Sequence, residues 1–540
     1  MSDRRVSREI WVLIALCALA YFPTLRNEFV NFDDIEFIRD NRDFNPPRLD
    51  AIVHYWRGPY FGGAFPLTYS FLGGVAMLAW NGAFLEPFMF RLAGLLLHVG
   101  CVLIVFDVLR MLLPGSRGAV IGAGIFAVHP LQVESVAWAI SPYTLLALGA
   151  IDLYLRYARQ SQASSPPTPR RTWTVYFAAT LLFALALLAK PVALVCIPIA
   201  AALDIGWLRR RWDRVAMALA PWCALTLPVI VMTRTLISTK PHPGPHLWVR
   251  PFVAMDAIAF YLEKLAWPIG LVPDYGRSPE WLREHGPLFV SWMIPVVVAG
   301  VLLVVVGRGN RMRAAALMAA FALSFLPVLG LLPHHFQVYS TVADRYAYLG
   351  MLAVAIAVGW WAASSPSGVT YALAAVVAIL TILSNVQTRT WHDTRTLFER
   401  NRQLIPHSFA ANRILGYEAN LHLDYRQAAS YYLAALKIRP EDAATNYNLA
   451  NTLWVLGDVH SALPRFERAL ASKPDDPIIG NNYALALNSA GRADEAERLF
   501  EAILAKHPDD ATAAVNLEMI RTNRRAATQP ATTKPTQPTA

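Results

Sequence analysis

Residues 443–476 read AATNYNLANTLWVLGDVHSALPRFERALASKPDD. Pro474 lies 34 residues after Pro440 and 34 before Pro508, and Pro406 stands one period earlier. Ala462 and Phe466 keep the same phase: Ala428 and Tyr432 precede them by 34, and Ala496 and Phe500 follow by 34. A small residue lets two helices approach, an aromatic fills the gap beside it, and proline ends the second helix. One such unit cannot bury its own apolar face, so units must stack. The C-terminal region is therefore expected to be an α-solenoid.

These features resemble the tetratricopeptide repeat. The period gives repeats at 409–442, 443–476 and 477–510, with a half repeat at 393–408 that carries Phe398 at the aromatic phase. A helix at 511–524 is expected to cap the array, which as a whole runs 393–525. The tail 526–540 is Thr, Pro and Gln and is expected to be disordered. Asn448, Asn482 and Asn516 share one phase and are expected to line the inner face. Their amides suit the backbone of an extended acceptor peptide, although asparagine is also common at this phase for structural reasons.

Working outward, the rest of the chain reads differently. Over 540 residues, 55% are apolar and 16% charged, against the roughly 25% charged of a soluble protein. A mean hydropathy of +0.35 excludes a disordered chain and a purely soluble globule. The formal charge of +10 does not indicate nucleic acid, because the basic residues cluster in short loops beside apolar runs. Cys17, Cys101, Cys196 and Cys223 all lie inside apolar segments, so no disulfide framework or zinc spacing exists. Segments long enough to cross a bilayer occur near 9–25, 88–110, 118–136, 138–157, 172–189, 191–208, 215–235, 288–306, 313–332, 346–363 and 369–386. Residues 1–390 are thus expected to form an all-α polytopic membrane domain of about eleven helices. Arg4, Arg5 and Arg8 precede the first run, and no small-residue cleavage site follows it. With the N-terminus inside, the basic loops at 110–117, 156–171, 209–214 and 308–313 all face the cytoplasm. Residues 66–85 and 252–271 then belong near the outer interface. The outer segments are 26–87, 129–141, 236–287 and 333–345, and the repeats follow on the same side.

The outer segments carry the ionisable residues. Asp33-Asp34 closes the stretch Phe29 to Asp34 beyond the first helix. An isolated acidic pair is commonly just a solvated loop. At the membrane surface it can hold a divalent metal, or one member can act as a general base on a hydroxyl. His129 and Glu134 lie in the stretch His129 to Trp138, where Pro130 breaks a span. A helix-end pair snorkelling to the interface would look the same. Lys190, before Pro191, runs against the positive-inside bias and suits a lipid-linked phosphate. The last outer loop holds His334-His335 and Asp344-Arg345-Tyr346, in which Arg345 suits a phosphate and the adjacent histidines suit a metal poorly. There is no P-loop, Rossmann glycine cluster or serine-nucleophile elbow.

Phe29 to Asp34, Pro66-Leu67-Thr68, His129 to Trp138, Lys190-Pro191, Asp344 to Tyr346 and the repeats occur in the order of one known family. The chain resembles the membrane-spanning tetratricopeptide-repeat O-mannosyltransferase-like family of the C-type glycosyltransferase (GT-C) superfamily. The resemblance implies a GT-C-like membrane domain with a luminal or periplasmic active site. It implies a sugar such as mannose on a polyprenyl phosphate, transferred with inversion to a hydroxyl of a protein or cell-envelope acceptor. Asp33 would be the base, with Asp34 assisting or holding a metal. His129 and Glu134 would line the cavity, and Lys190 and Arg345 would face the donor phosphate. Two positions depart from the family: Phe65 replaces an Arg, and Ser141-Pro142-Tyr143-Thr144 lacks a charged pair. These departures favour a second reading, a degenerate membrane anchor for a protein-docking scaffold. A bacterial inner membrane with periplasmic repeats is expected from the compact loops, and an endoplasmic reticulum protein would share the topology.

Overall fold

The structure is a computed structural model that describes residues 2–58, 60, 65–138, 141–163, 168–236, 244–286, 288–332 and 335–528. The expected tail falls outside these residues beyond Thr528, as does His334. Helices are the only regular secondary structure among the described residues, with two isolated β-bridges and no strand. The chain divides into two compact units, Met1–Leu404 and Ile405–Ala540. The Thr394–Leu404 helix, read from the sequence as half a repeat, belongs to the first unit, where the Phe398 ring lies 5.8 Å from that of Phe32.

In the first unit every segment read as a span contains a helix. Six are individually long and apolar enough to cross a membrane: Val6–Arg26, Pro87–Leu112, Pro169–Ala189, Trp212–Met232, Leu288–Val305 and Ser367–Arg389. Ser116–Val128 and Pro130–Ala137, bent by 52° at Pro130, make a seventh if taken together. Tyr143–Gln160 carries Asp152, Arg156 and Arg159, and Cys196–Gly206, Arg311–Ser324 and Met351–Ser364 have only 11, 14 and 14 residues. Helix length thus establishes a multi-pass protein but not a count of eleven. The short helices lose their length to 3-10 turns at Pro191–Val195, Leu326–Val328 and Asp344–Ala347, where the chain leaves the helix to build loops.

Small residues set a close helix contact. Gly118 and Gly122 face Gly359 and Ala355, and a Cβ at either glycine would collide with the opposing backbone. This four-residue spacing of small residues on both helices is how membrane helices approach without a water-driven force.

The basic loops meet one another. Arg159 donates to the Met111 carbonyl at 2.5 Å, Trp207 Nε1 to Leu112 at 3.3 Å and Arg209 to Gly309 at 3.4 Å. Arg210 forms a buried pair with Asp204 at 3.0 Å, and Tyr154 donates to the same carboxylate at 2.8 Å. The first outer loop has its own core of Phe44, Tyr55, Tyr69, Leu72, Val75 and Phe90, into which the Pro66–Ala79 helix buries one face. The Arg250–Ala266 helix is likewise one-sided, and its buried Asp256 takes Arg277 on both oxygens at 2.8 and 2.7 Å.

In the second unit the helix pairs are Phe409–Leu421 with Tyr425–Ile438, Ala443–Val455 with Val459–Ser472, and Pro477–Ser489 with Ala493–Lys506, followed by Ala511–Thr528. Ala428, Ala462 and Ala496 and the rings of Tyr432, Phe466 and Phe500 are fully buried. Asp442, Asp476 and Asp510 each cap the next helix through its free N–H groups. Gly416 lies where a Cβ would come within 2.7 Å of the Tyr432 ring, which explains why that position has no side chain.

Candidate active site

Four loops from the same end of the first unit build the site. The Val6–Arg26 helix ends in a 3-10 turn, and the chain then runs to a tight turn at Asn31–Asp33. Asp33 has a φ of 83°, a left-handed conformation that Asp and Asn tolerate better than other side chains. Its neighbour Asp34 meets different partners. Asp34 is fully buried, takes Arg91 Nη2 at 2.6 Å and accepts the Val30 N–H at 3.2 Å on the same oxygen.

The acidic pair is therefore split. Asp33 stays open to solvent while protein crowds it on nearly every side, as expected of a side chain lining a recess. That crowding raises its pKa to about 6, against the opposing pull of Arg345 and Lys190. Lys190 is in the same situation, exposed yet surrounded. Burial and the nearby Arg345 lower its pKa to about 8, while Asp33 and Glu134 hold it up. Its ammonium sits 5.3 Å from the Tyr143 ring centroid. The turn before it is pinned by Thr68, whose hydroxyl donates to the Ala189 carbonyl at 2.7 Å and lies 2.8 Å from Ser141 Oγ.

Glu134 and Arg345 meet across 211 residues. Arg345 Nη1 reaches Glu134 Oε1 at 2.5 Å, and its backbone N–H donates to Oε2 at 2.8 Å. The guanidinium lies 4.3 to 5.7 Å from the ring centroids of Phe336, Trp138, Tyr346 and Phe32. Trp138 in turn donates its indole N–H to the Phe32 carbonyl, so the aromatic box is tied to the residue preceding Asp33. Asp344 beside it is buried, accepts the Tyr275 hydroxyl at 2.7 Å, and is pushed up by burial and by Glu134.

Asp33, Glu134, Lys190 and Arg345 thus sense one another electrostatically, from loops that the sequence separates widely. His129 is not joined to them by any contact among the described residues. It is buried, one ring nitrogen accepts the Leu131 N–H at 3.3 Å, and the other lies 3.3 Å from the Leu265 carbonyl. It caps the turn at Pro130. Asp34 engages Arg91 through Oδ2, while its Oδ1 is buried without a hydrogen-bond partner. No group of three His, Cys, Asp or Glu side chains able to hold a metal occurs among the described residues. Sequence reasoning missed Arg91. The signal was available: like Lys190, it is a cation at the outer end of a span, against the positive-inside bias.

Comparison with known proteins agrees with this arrangement of parts. A tetratricopeptide-repeat family model matches residues 422–477 and 447–511. The mouse protein O-mannosyl-transferase TMTC3 is 21% identical over 82% of this chain and 52% of its own length. The Drosophila melanogaster protein O-mannosyl-transferase Tmtc2 is 29% identical over 48% of this chain and 30% of its own. The chain is similar to these TMTC proteins. It spans about half, or less, of the length of the TMTC relatives it matches. An apo oligosaccharyltransferase of Archaeoglobus fulgidus overlaps 70% of this chain and 56% of its own at 13% identity, with a TM-score of 0.38, which decides nothing about the fold.

The repeat asparagines Asn448, Asn482 and Asn516 are all half-buried. The Asn482 amide donates to Tyr447 Oη at 2.6 Å and to Asn451 at 3.2 Å, so it is engaged within the array. Asn412 and Asn446, also 34 apart, were not singled out by the sequence reading. Each ties its helix to the preceding turn, Asn446 through the carbonyls of Pro440 at 2.7 Å and Asp442 at 3.0 Å. Of the departures from the family pattern, Ser141 bonds Thr68, which holds the Ala189 carbonyl just before Lys190, and Phe65 leans on Tyr69 with ring centroids 6.3 Å apart.

Proposed function

We propose that this protein transfers a sugar, mannose or similar, from a polyprenyl phosphate to a hydroxyl of a protein or cell-envelope acceptor. The observation that carries the reading is Asp33: an accessible carboxylate, basic for its type, beside two cations from other loops. At pH 7 a carboxylate of pKa about 6 is some nine-tenths ionised and still a better base than a free one. Asp33 takes the acceptor hydroxyl's proton as that oxygen bonds the sugar's C1. The C1–O bond to phosphate breaks with inversion, and the polyprenyl phosphate leaves with the electron pair. Lys190 meets the charge that develops on the phosphate. Arg345 adds its field from the aromatic box, while Glu134 holds its orientation and absorbs part of its charge. The mannose assignment rests on the names of the relatives, and the lipid carrier on a cation-lined recess at the end of a membrane bundle.

The recess belongs on the side opposite the basic loops, hence in the periplasm if the membrane is a bacterial inner membrane. The repeats present Asn448, Asn482 and Asn516 as candidate contacts for an acceptor peptide, with Asn482 having to release Tyr447 to serve. The competing reading is a docking scaffold, which Phe65 and the uncharged Ser141-Pro142-Tyr143-Thr144 stretch favour. The test is an assay of the purified full-length protein in detergent, with polyprenyl-phosphate mannose and a Ser/Thr peptide. Mannosylated peptide supports the enzyme. No transfer from any polyprenyl-phosphate sugar favours the scaffold.

A further inference from the structure

We propose that Arg91 is a positioning residue: through Asp34 it locks the turn carrying Asp33 onto the helix that also holds the Arg345 loop. The inference rests on the transfer reading above and gives the second aspartate a different task from its neighbour.

Arg91 sits in the first turns of the Pro87–Leu112 helix with a side chain 1% exposed, and Asp34 is 0% exposed. Neither can touch a substrate. The Arg91 Nη2 serves two acceptors, Asp34 Oδ2 at 2.6 Å and the Glu28 carbonyl, so it clamps both ends of the segment 28–34. Its guanidinium also lies 5.9 Å from the Phe29 ring centroid. The Val30 N–H closes the same segment on Asp34 from within. Between these fixed points stands Asp33 at positive φ. A non-glycine residue keeps that conformation when its surroundings over-determine it. The buried pair supplies that constraint and turns the Asp33 carboxylate toward the recess.

The same helix holds the other side of the site. Two turns beyond Arg91, His98 lies 2.9 Å from the Ala127 carbonyl through Nε2 and 2.7 Å from Tyr348 Oη through Nδ1. A carbonyl can only accept, so Nε2 carries the proton and Tyr348 donates to Nδ1. Tyr348 lies three residues after Arg345. One rigid helix therefore sets the base loop, by Arg91, against the cation loop, by His98.

The test uses full-length protein in detergent, with kcat and KM for the polyprenyl-phosphate sugar, and hydrogen exchange over residues 28–40. Misplacing a reacting group by about 1 Å costs on the order of 10²-fold, so Arg91→Gln should lower kcat by about that factor. KM should change by less than about 3-fold, because uniform binding is untouched. Exchange over 28–40 should quicken, and Arg91→Lys should recover about 10-fold of the lost kcat by restoring the charge without the fork. The double variant Asp34→Asn/Arg91→Gln should be no worse than Arg91→Gln alone. Because it leaves no unpaired buried charge, it carries the test if the single variant misfolds. Wild-type kcat with wild-type exchange in Arg91→Gln would overturn the inference. So would an inactive Asp34→Asn beside an active Arg91→Gln, which would make Asp34 a direct participant. If the wild type itself transfers no sugar, the transfer reading falls, and the exchange data alone decide whether Arg91 locks the turn.

Discussion

At one end of the 1–404 unit, Arg159, Trp207 and Arg209 tie the basic loops together through backbone carbonyls. At the other, Asp33, Glu134, Lys190 and Arg345 converge from four loops. Arg91 and Met111 mark the two ends on a single 26-residue helix, about 39 Å long. Both ends contain buried Arg–carboxylate pairs: Arg210–Asp204 at the basic end, Arg91–Asp34 and Arg345–Glu134 at the other. At the basic end Arg156 also pairs with Asp107 and Asp152, and Arg159 and Arg209 are held by backbone carbonyls. The other end keeps one carboxylate and one ammonium accessible inside a crowded, low-dielectric setting. Pairing charges builds a fold at both ends, and leaving two of them accessible distinguishes a site from a scaffold.

The comparison breaks most easily at the basic end. Arg210→Gln strands a buried Asp204 and should cost about 3–5 kcal/mol of stability, a factor of roughly 10² to 5 × 10³ in the folding equilibrium. Thermal unfolding in detergent measures it, and kcat of the folded fraction should stay unchanged. A lost kcat at full stability would mean that the two ends are coupled. At the site end, Lys190→Met should lower kcat/KM about 10–10²-fold, the worth of a charge-assisted contact to phosphate. Stability should hold or rise, because Lys190 is already disfavoured as a charge by its surroundings. A sharper, smaller effect lies in pH. Asp33 must be ionised to act as base, so kcat/KM should fall about tenfold per unit below about 6. Lys190 must be protonated to meet phosphate, so the alkaline limb should fall above about 8. A profile flat from pH 5 to 9 would remove both residues from the chemistry.

The presence of the repeats was legible, because their period recurs at Ala428, Ala462 and Ala496 and a proline follows each second helix. Lys190 was legible for the opposite reason: one lysine where the positive-inside bias predicts none. The Asp33–Asp34 pair was singled out by its place just past a helix end, and Asp33 as the base by the family resemblance. What joins it to Asp34's partner was not legible, since Arg91 stands 57 residues away and Glu134 lies 211 from Arg345. Spacing reveals local periodicity, whereas pairings between loops exist only after the helices are arranged. His129 shows the converse. An ionisable residue beside a helix break looks functional in sequence, yet two backbone groups already satisfy its imidazole. The spans proved hard to count because the loops that build the site begin inside what hydropathy reads as helix.

The central claim is that Asp33 is the base, and Asp33→Asn tests it most directly. Asparagine tolerates the same left-handed backbone, so the turn survives and only the proton acceptor is lost. The account predicts sugar transfer by the wild type and a drop of at least ~10²–10⁴-fold in Asp33→Asn, with donor binding and melting temperature near wild type. Equal transfer by the two proteins would contradict it.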